Sequence, residues 1–376
     1  MANTWIISPT WTQSVLETAH GKLPYNDDSS IANDDRSEWR GFNDIIAKSV
    51  TAGKTFSTNI ISTYSLVYTT TTSYQGGVLA PNGDIHFVPA AAPVGQKVSA
   101  GVVSTYSLVY TVSLAYVGGV LAPNGDIHFI PFEANRGQKI STSSNIVSTY
   151  SLVYTVSEAY QGGVLAPNGD IHFVPSSAVV GQKISAAGVV STYSLVHTTT
   201  RAYQGGVLAP NGDIHFVPLR ANMGQKISAA GVVSTYSLVY TVSDAYGGGV
   251  LALDGDIHFV PRSANRGQKI SAAGVVSTYS LVNIATYVGG VLAPNGDIHF
   301  VPRAAVVGQK ISAAGVVSTY SLVYTAAVNS YFGGVLTPTG DIHFITDRAT
   351  VGQIIHTGAA LPFDIGVCVS AWLNKF

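Results

Sequence analysis

The stretch GGVLAPNGDIHFVP, residues 76–89, decides the fold, because it recurs with small changes through most of the chain. Its aspartate returns at successive spacings of 41 to 44 residues, and it occupies positions 84, 126, 170, 213, 256, 297 and 341. A repeat of this length is typical of propeller blades built from four strands, although some helical repeats share it. The chain is therefore an array of one small unit.

Strand signals fill each unit. In the first complete copy, residues 76–80 and 84–88 read as two strands joined by a Pro-Asn-Gly turn, in which Asn and Gly tolerate positive φ. Residues 95–99 read as a short third strand. Residues 102–111, VVSTYSLVYT, alternate with period two as a fourth strand does. The glycine pairs, turn residues and β-branched runs favour strands over helical repeats.

Composition narrows the class of protein. The 376 residues are 46% apolar and only 10% charged, which excludes a disordered chain. The formal net charge of −1 gives no indication of nucleic acid or an anionic membrane as a partner. Cys368 is the only cysteine, so an intrachain disulfide and a cysteine zinc site are excluded. We find no secretory signal and no membrane-length apolar run, and we expect a cytoplasmic monomer.

The number of blades depends on the two ends of the chain. A first STYSLV strand within residues 59–68 precedes the first GGV, so pairing it with the set at 333–356 would close seven blades. Imperfect copies at 43–55 and 364–372 would add one more. We therefore predict an all-β, single closed propeller of eight blades over residues 37–376, with seven as the alternative. Residues 1–36 are predicted to form a short helix and an acidic loop that pack at the ring seam.

The repeat resembles the blade motif of β-propeller proteins of the broad kelch and quinoprotein-like kind. The pattern G-G-V-L-A-P-N-G-x-I-x-F is similar to a eukaryotic repeat that reads G-G-V-x-A-x-N-G-x-I-Y, with His-Phe here in place of its aromatic residue. The resemblance covers residues 74–355 strongly. It implies the propeller fold, and it implies no activity, because propellers carry many functions.

An Asp-x-His pair occurs in every copy, and residues two apart on a strand share a face. Such pairs suit either a metal ring and proton relay or an internal hydrogen-bonding network. A catalytic site is singular, whereas a feature of every blade is usually scaffold, so we interpret the pairs as structural. We expect no metal and no cofactor. The pairs are Asp84/His86, Asp126/His128, Asp170/His172, Asp213/His215, Asp256/His258, Asp297/His299 and Asp341/His343.

The copies differ mainly in two loop classes. The loops between second and third strands, and those between one blade and the next, vary freely, while the other two classes are nearly uniform. In a four-stranded blade both variable classes emerge at one end of the disc, which we call the variable face. Arginine and tyrosine are good recognition residues. The binding residues predicted there are Arg136, Arg201, Arg220, Arg262, Arg266, Arg303, Tyr116, Tyr160, Tyr203 and Tyr246.

These observations support three hypotheses about function. The first is a non-catalytic binding scaffold that engages a protein or glycan on the variable face, with repeated shallow sites that act together. The second is an enzyme, a lyase or hydrolase, with one axial pocket on that face. The third is a symmetrised or recently amplified repeat with no selected ligand. The sequence contains no G-x-S-x-G, H-E-x-x-H, Walker or dinucleotide motif, which favours the first over the second.

Overall fold

The computed structural model of the chain describes residues 60–325 and 329–357, which form strands β1 to β28. The strands make seven sheets of four, here numbered as blades 1 to 7. Blade 1 contains β2 (Tyr74–Leu79), β3 (Ile85–Pro89), β4 (Val94–Ser99) and β5 (Val102–Ser107). Blade 2 contains β6 (Tyr116–Leu121), β7 (Asp126–Pro131), β8 (Arg136–Ser141) and β9 (Val147–Ser151).

The next four blades repeat this order. Blade 3 contains β10 (Tyr160–Leu165), β11 (Ile171–Pro175), β12 (Val180–Ile184) and β13 (Val190–Ser194). Blade 4 contains β14 (Tyr203–Leu208), β15 (Ile214–Pro218), β16 (Met223–Ile227) and β17 (Val233–Ser237). Blade 5 contains β18 (Tyr246–Leu251), β19 (Ile257–Pro261), β20 (Arg266–Ile270) and β21 (Val276–Ser280). Blade 6 contains β22 (Tyr287–Leu292), β23 (Ile298–Pro302), β24 (Val307–Ile311) and β25 (Val317–Ser321).

Blade 7 joins the two ends of the described chain. It contains β26 (Tyr331–Leu336), β27 (Asp341–Thr346), β28 (Val351–His356) and, as its outer strand, β1 (Ile60–Ser65). The innermost strands β2 and β26 of blades 1 and 7 pack directly against each other. A Cβ on Gly77 would lie 2.5 Å from the Ile345 side chain of blade 7. No space is left for another blade there, so the prediction of eight blades is wrong and the alternative of seven is correct.

The segments that suggested an eighth blade, 43–55 and 364–372, lie outside the described residues. The same holds for the predicted extension at 1–36 and for Cys368. Within the part of the chain that is described, no helix is long and apolar enough to cross a membrane.

The glycine pair of each repeat packs the innermost strands around the axis. Each first strand is irregular between its tyrosine and the second glycine of the pair, as a β-bulge is. The first glycines have φ between 76° and 124°, and a Cβ on any of them would lie 2.8 to 3.5 Å from the Cα of the next. They therefore form a closed ring of backbone contacts. Its members are Gly76, Gly118, Gly162, Gly205, Gly248, Gly289 and Gly333.

The apolar core lies between blades as well as within them. Val78 and Val88 of blade 1 belong to the same buried cluster as Tyr116, Ile127 and Phe129 of blade 2. Equivalent clusters recur at the following junctions. Each blade therefore buries its apolar side chains on its neighbour, which is why the second strands are buried on both faces.

A buried glutamine on each third strand holds the preceding blade. In blade 4 the Gln225 side-chain oxygen accepts hydrogen bonds from the backbone N–H groups of Val196 (3.0 Å) and His197 (2.8 Å), which follow the outer strand of blade 3. The same pair of contacts occurs at every junction, including Gln96 of blade 1 with Val67 and Tyr68 beyond β1. The glutamine clamps therefore also secure the closure of the ring.

Replacing one clamp is expected to weaken the junction it serves. The Gln225→Leu substitution leaves two backbone N–H groups without their acceptor, so we expect a loss of about 2 to 4 kcal/mol in the free energy of unfolding. Urea denaturation measures this loss. Met223→Leu, at the exposed start of the same strand, is the control and should stay within about 0.5 kcal/mol of the parent protein. Equal stabilities for the two variants would contradict the role given to the clamp.

Candidate functional site

Three positions in each blade bring variable side chains to the axis on the variable face. The first precedes the buried tyrosine of the first strand by two residues, and the second follows that tyrosine. The third follows the second strand. At the second position the blades carry Gln75, Val117, Gln161, Gln204, Gly247, Val288 and Phe332. At the third position they carry Ala90, Phe132, Ser176, Leu219, Arg262, Arg303 and Asp347. In a chain of nearly identical repeats, these positions are therefore unusually diverse.

A belt of backbone hydrogen bonds holds these positions in place. The N–H of Ala115 in blade 2 donates to the carbonyl of Ala90 in blade 1 (2.8 Å), and the N–H of Ser330 donates to the carbonyl of Arg303 (2.6 Å). The belt crosses the closure as well, where the N–H of Ser73 donates to the carbonyl of Asp347 (2.9 Å). This bond is found at six of the seven junctions, blade 5 to blade 6 being the exception among the described residues, so the backbone is nearly constant while the side chains change. This is the arrangement of a rigid scaffold that presents a specific site.

The first position has left-handed backbone in six blades. Its φ lies between 52° and 61°, a conformation that costs about 1–2 kcal/mol for residues other than Gly, Asn and Asp. The six residues are Thr72, Leu114, Glu158, Arg201, Asp244 and Asn329. Four of them are therefore strained where Asn would serve at lower cost. Strain of this kind is concentrated at functional sites, which directs attention to the side chains presented here.

These side chains enclose a cavity at the axial mouth. Its volume is 220 Å³, smaller than the roughly 300–1,000 Å³ of pockets for drug-sized ligands. Apolar side chains form one part of the wall, and Val117 and Val288 are buried in the same cluster as Phe132 and Phe332. The lining residues are Thr72, Gln75, Leu114, Phe132, Glu158, Gln161, Arg201, Arg262, Arg303, Asn329, Phe332, Asp347 and Arg348. We call this space the axial cavity.

The charges of the axial cavity are unbalanced, with four arginines against two carboxylates. Arg201 Nε lies 3.6 Å from Glu158 Oε2, and Arg303 Nη2 lies 4.0 Å from Asp347 Oδ2. Arg303 also donates from Nε to Asn329 (2.8 Å). Burial, with smaller effects from neighbouring arginines, lowers the pKa of Arg303, and burial raises the pKa of the Asp347 carboxyl. The cavity is thus a partly dry site of positive potential.

Arg262 is a partly buried arginine of the cavity with no close carboxylate, unlike Arg201 and Arg303. Its Nη1 donates to Gln204 Oε1 at 2.8 Å, and no carboxylate among the described residues lies within 4 Å of it. Burial, then the charge of Arg303, lowers the pKa of Arg262 to about 10, so it stays protonated at neutral pH. Asp244 favours the cation from longer range, but its carboxylate is paired with Arg220. A partly buried cation with no paired carboxylate is costly. Arg262 is therefore the strongest single indication that the axial cavity binds an anion.

Three further polar atoms in this region are buried without a hydrogen-bond partner among the described residues: Arg201 Nε, Gln204 Nε2 and Asp347 Oδ2. The contacts of Arg201 and Asp347 given above are too long to count as hydrogen bonds. Native proteins leave few such atoms, and each needs an explanation. Arg201 and Asp347 line the axial cavity, so a ligand bound there that accepts from Arg201 and donates to Asp347 would supply one.

Gly247 makes room for Arg262. At the second position, blade 5 carries glycine where its neighbours carry glutamine or valine. A Cβ on Gly247 would lie 3.2 Å from Val288 Cγ2 and 3.5 Å from Arg262 Cδ. A longer side chain would therefore occupy the volume that the arginine fills. The GGG of residues 247–249 is the sequence signal that could have indicated this asymmetric corner.

The structure separates the predicted arginines into two groups. Arg201, Arg262 and Arg303 line the axial cavity, together with Arg348. Arg220 makes a bidentate pair with Asp244 at 2.9 and 3.3 Å. Arg136 and Arg266 lie further out on third strands, where each guanidinium is stacked over a tyrosine, Tyr110 at 5.1 Å and Tyr240 at 4.8 Å respectively.

The four predicted tyrosines do not reach the surface. Tyr116, Tyr160, Tyr203 and Tyr246 are 0% exposed, and each hydroxyl donates to a backbone carbonyl at the start of the third strand. They pack against the phenylalanine of the second strand. They therefore have no surface available to a ligand. The sequence placed these tyrosines at the end of a variable loop, which suggested that they are exposed. In the structure each one is instead the first residue of a buried strand.

The Asp-x-His pairs form a network, but the aspartate does not bond to its histidine. In blades 1 to 6 the carboxylate pairs with the lysine of the third strand at 2.6–2.7 Å, as in Asp84–Lys97. The histidine Nδ1 lies 3.2–3.5 Å from a fourth-strand tyrosine hydroxyl, as in His86–Tyr106. Among the described residues no group of three His, Cys, Asp or Glu could hold a metal ion.

Blade 7 departs from this pattern at the ring closure. Asp341 Oδ1 lies 3.0 Å from His356 Nδ1, and His356 Nε2 lies 2.7 Å from Ser62 Oγ. This order of groups is that of a serine–histidine–aspartate triad. Ser62, however, is on the outer strand β1 and near the uniform end of the disc, away from the axial cavity. The chain of contacts joins the first described strand to the last, and we interpret it as part of the closure.

Comparison with known proteins identifies the fold. No protein-family model matches the chain, and no curated protein matches it. Similar solved structures include a streptogramin B lyase, with a TM-score of 0.68 and 20% identity over 78% of this chain and 97% of that chain. Another is virginiamycin B lyase from Staphylococcus aureus, with a TM-score of 0.70 and 17% identity over 79% and 99%. The chain is a seven-bladed β-propeller.

The propeller neighbours also include extracellular domains. One is an extracellular domain of a hybrid two-component system from B. thetaiotaomicron, with a TM-score of 0.62 and 10% identity over 82% of this chain and 42% of that chain. At these identities the likeness shows the fold alone. The narrower kelch-like class therefore stays a prediction.

Proposed function

We propose that this propeller binds one small anionic ligand in the axial cavity of its variable face. The observation that carries the proposal is Arg262, a partly buried guanidinium that is held by Gln204 and has no carboxylate within 4 Å among the described residues. Arg201 and Arg303 line the same cavity, so an anion would meet converging donors. Carboxylate and phosphate are the anions that guanidinium groups bind best.

This proposal narrows the hypothesis of a binding scaffold on the variable face. The cavity is singular because each blade contributes a different side chain to the axis, so one ligand per chain is expected instead of several equal ones. A protein or glycan partner on the wider face stays a separate prediction, as do the monomeric state and the cytoplasmic location.

Replacing Arg262 should weaken this binding strongly. We expect Arg262→Gln to weaken phenylacetate or phosphate binding roughly 10- to 100-fold, because a hydrogen bond to a charged group is lost. Isothermal titration calorimetry measures the affinity and the number of sites, expected to be one. Arg266→Gln is the matched control, since it removes an arginine of the same blade from outside the cavity. Equal affinities of the two variants, or seven sites per chain, would contradict the proposal.

The enzyme hypothesis is the second candidate, and a specific observation favours it. Asp347 is a carboxyl group 1% exposed to solvent, with a raised pKa, beside the cations of the cavity. Such a group suits general acid or base chemistry. One solved neighbour is a catalytically inactive histidine-to-alanine variant of virginiamycin B lyase with quinupristin, whereas the described lining of this cavity contains no histidine. Turnover of a lactone or ester panel that Asp347→Asn abolishes would support the enzyme hypothesis.

A further inference from the structure

We propose that the ligand is a small 2-amino or 2-hydroxy carboxylic acid with an aromatic or branched apolar side chain. This inference rests on the proposed function and assigns each part of such a molecule to a part of the axial cavity. The parts are a carboxylate, a hydrogen-bond donor on the neighbouring carbon, and an apolar body.

Arg262 receives the carboxylate. Its guanidinium has five N–H donors, and the Gln204 contact uses one of them. Gln204 is itself 3% exposed, and its Nε2 has no partner among the described residues. Arg262 lines the axial cavity and keeps unused donors, while Gln204, which is not part of the lining, fixes the guanidinium from behind. A fixed guanidinium fork can hold a carboxylate in one orientation.

Asp347 receives the hydrogen-bond donor. It lines the cavity and is 1% exposed, and its Oδ2 has no hydrogen-bond partner within the described chain. The nearest polar groups are distant, since Gln75 Nε2 lies 3.5 Å from Oδ1 and Arg303 Nη2 lies 4.0 Å from Oδ2. Asp347 is thus a buried acceptor that inorganic anions and simple carboxylates leave unused. An ammonium or hydroxyl group of the ligand would use it.

The apolar body lies on the remaining wall. Leu114, Phe132 and Phe332 line the cavity, and Val117 and Val288 back them within the same buried cluster. These apolar side chains come from blades 2, 6 and 7, whereas blades 1 and 3 carry glutamine at the second position and alanine or serine at the third. An aromatic or branched side chain would bury its surface there. A purely inorganic anion would leave the wall unused.

The size of the cavity agrees with this class of ligand. A volume of 220 Å³ lies below the usual range for drug-sized molecules, roughly 300–1,000 Å³, and exceeds the roughly 30 Å³ share of one water several-fold. The cavity therefore suits a body of about ten heavy atoms better than an oligopeptide or an oligosaccharide. The solvent-facing rim carries Arg348 and the Arg201–Glu158 pair.

The test compares ligands that differ by one group on the full-length protein. Isothermal titration calorimetry is run with phenylalanine, 3-phenyllactate, 3-phenylpropionate, 2-phenylethanol, lactate and phosphate. We expect phenylalanine or 3-phenyllactate to bind at least 10-fold more tightly than 3-phenylpropionate, which lacks the donor. The same two ligands should also bind more tightly than lactate, which lacks the phenyl ring, and than 2-phenylethanol, which lacks the carboxylate. The affinity of phenylalanine compared with that of 3-phenyllactate shows whether the cavity prefers an amino acid or a hydroxy acid.

Variants of the protein test which residue contacts each group of the ligand. Asp347→Asn should reduce the preference for the donor-bearing ligand over 3-phenylpropionate, while Arg262→Gln should weaken every carboxylate equally and Arg266→Gln should change nothing. Circular dichroism checks that each variant is folded. If a variant is not folded, the ligand series measured on the parent protein still tests the inference. Binding of all carboxylates, or of phosphate, without preference would overturn this inference and leave the proposed function intact. Absence of binding by every anion would overturn both.

Discussion

Acidification from pH 7 to pH 4 is expected to unfold the propeller in one steep transition. Burial lowers the pKa of the second-strand histidine in every blade to about 4, against a usual value near 6.5. Each histidine is therefore neutral in the folded state and gains a proton on unfolding below pH 6.5. Because the unfolded chain binds more protons, stability falls as the pH falls from 6.5 towards 4.

The number of these histidines makes the effect large. At pH 5 one such group costs on the order of 2 kcal/mol relative to neutral pH. Summed over the seven blades, this loss equals the whole stability of a typical domain, about 5–15 kcal/mol. We therefore expect a midpoint near pH 5, measured by circular dichroism at constant ionic strength. The histidines are His86, His128, His172, His215, His258, His299 and His343.

Two measurements test whether the buried histidines cause this loss of stability. Urea titrations at several pH values give the proton uptake on unfolding from the slope of stability against pH. His215→Gln should lower that uptake by about one proton, since it removes one titrating group. A midpoint below pH 4, or an uptake below two protons between pH 6 and 5, would show that the buried histidines do not set the acid limit.

Gly118→Ala is expected to destabilise the propeller severely, because the added Cβ meets the backbone of the next blade. Its φ of 80° is left-handed, which alone costs a residue with a Cβ about 1–2 kcal/mol. The added Cβ would also lie 2.8 Å from the Cα of Gly162 and 3.3 Å from its N, and both atoms are backbone. Neither can move without moving a blade. We expect a total loss above about 4 kcal/mol, within the range seen for severe single substitutions.

A matched control separates the two causes. Gly231 has φ of 81° and nothing within 4 Å of its added Cβ, so Gly231→Ala carries the backbone strain without the collision. The difference between the two variants in guanidinium denaturation therefore measures the contact within the glycine ring. Equal losses for Gly118→Ala and Gly231→Ala would show that the ring is not tightly packed.

These results separate scaffold from site along the repeat. The uniform residues build blades, with the glycine ring at the axis, the glutamine clamps between blades and the histidines inside them. The residues that differ lie on the same backbone positions of the variable face and converge on one cavity. A function is therefore best sought at the axis, where Arg262 and Asp347 line one cavity, and not in the Asp-x-His pairs that recur in every blade.

The sequence by itself determined the blade. The period of 41 to 44 residues, the Pro-Asn-Gly turn and the alternating STYSLV strand each depend on local geometry, so they predict four strands and a propeller. The location of variation on one face also followed from strand order alone. The scaffold role of the Asp-x-His pairs stays a prediction, and their lysine partners could not be read from the sequence, because those contacts lie between strands.

Only the tertiary structure decided the number of blades and the location of the site. Imperfect copies at both ends read equally well as an eighth blade, and the direct packing of β2 on β26 excludes it. The predicted tyrosines and arginines lie in the same stretches of sequence. In the structure the tyrosines are buried inside the blades, so they cannot contact a ligand. Three of the predicted arginines lie close enough to the axis to line the cavity. Arg262 and Asp347 are 85 residues apart, and Asp347 and Gln75 are 272 apart. A ring brings such residues together, because its axis is the one place that every blade reaches.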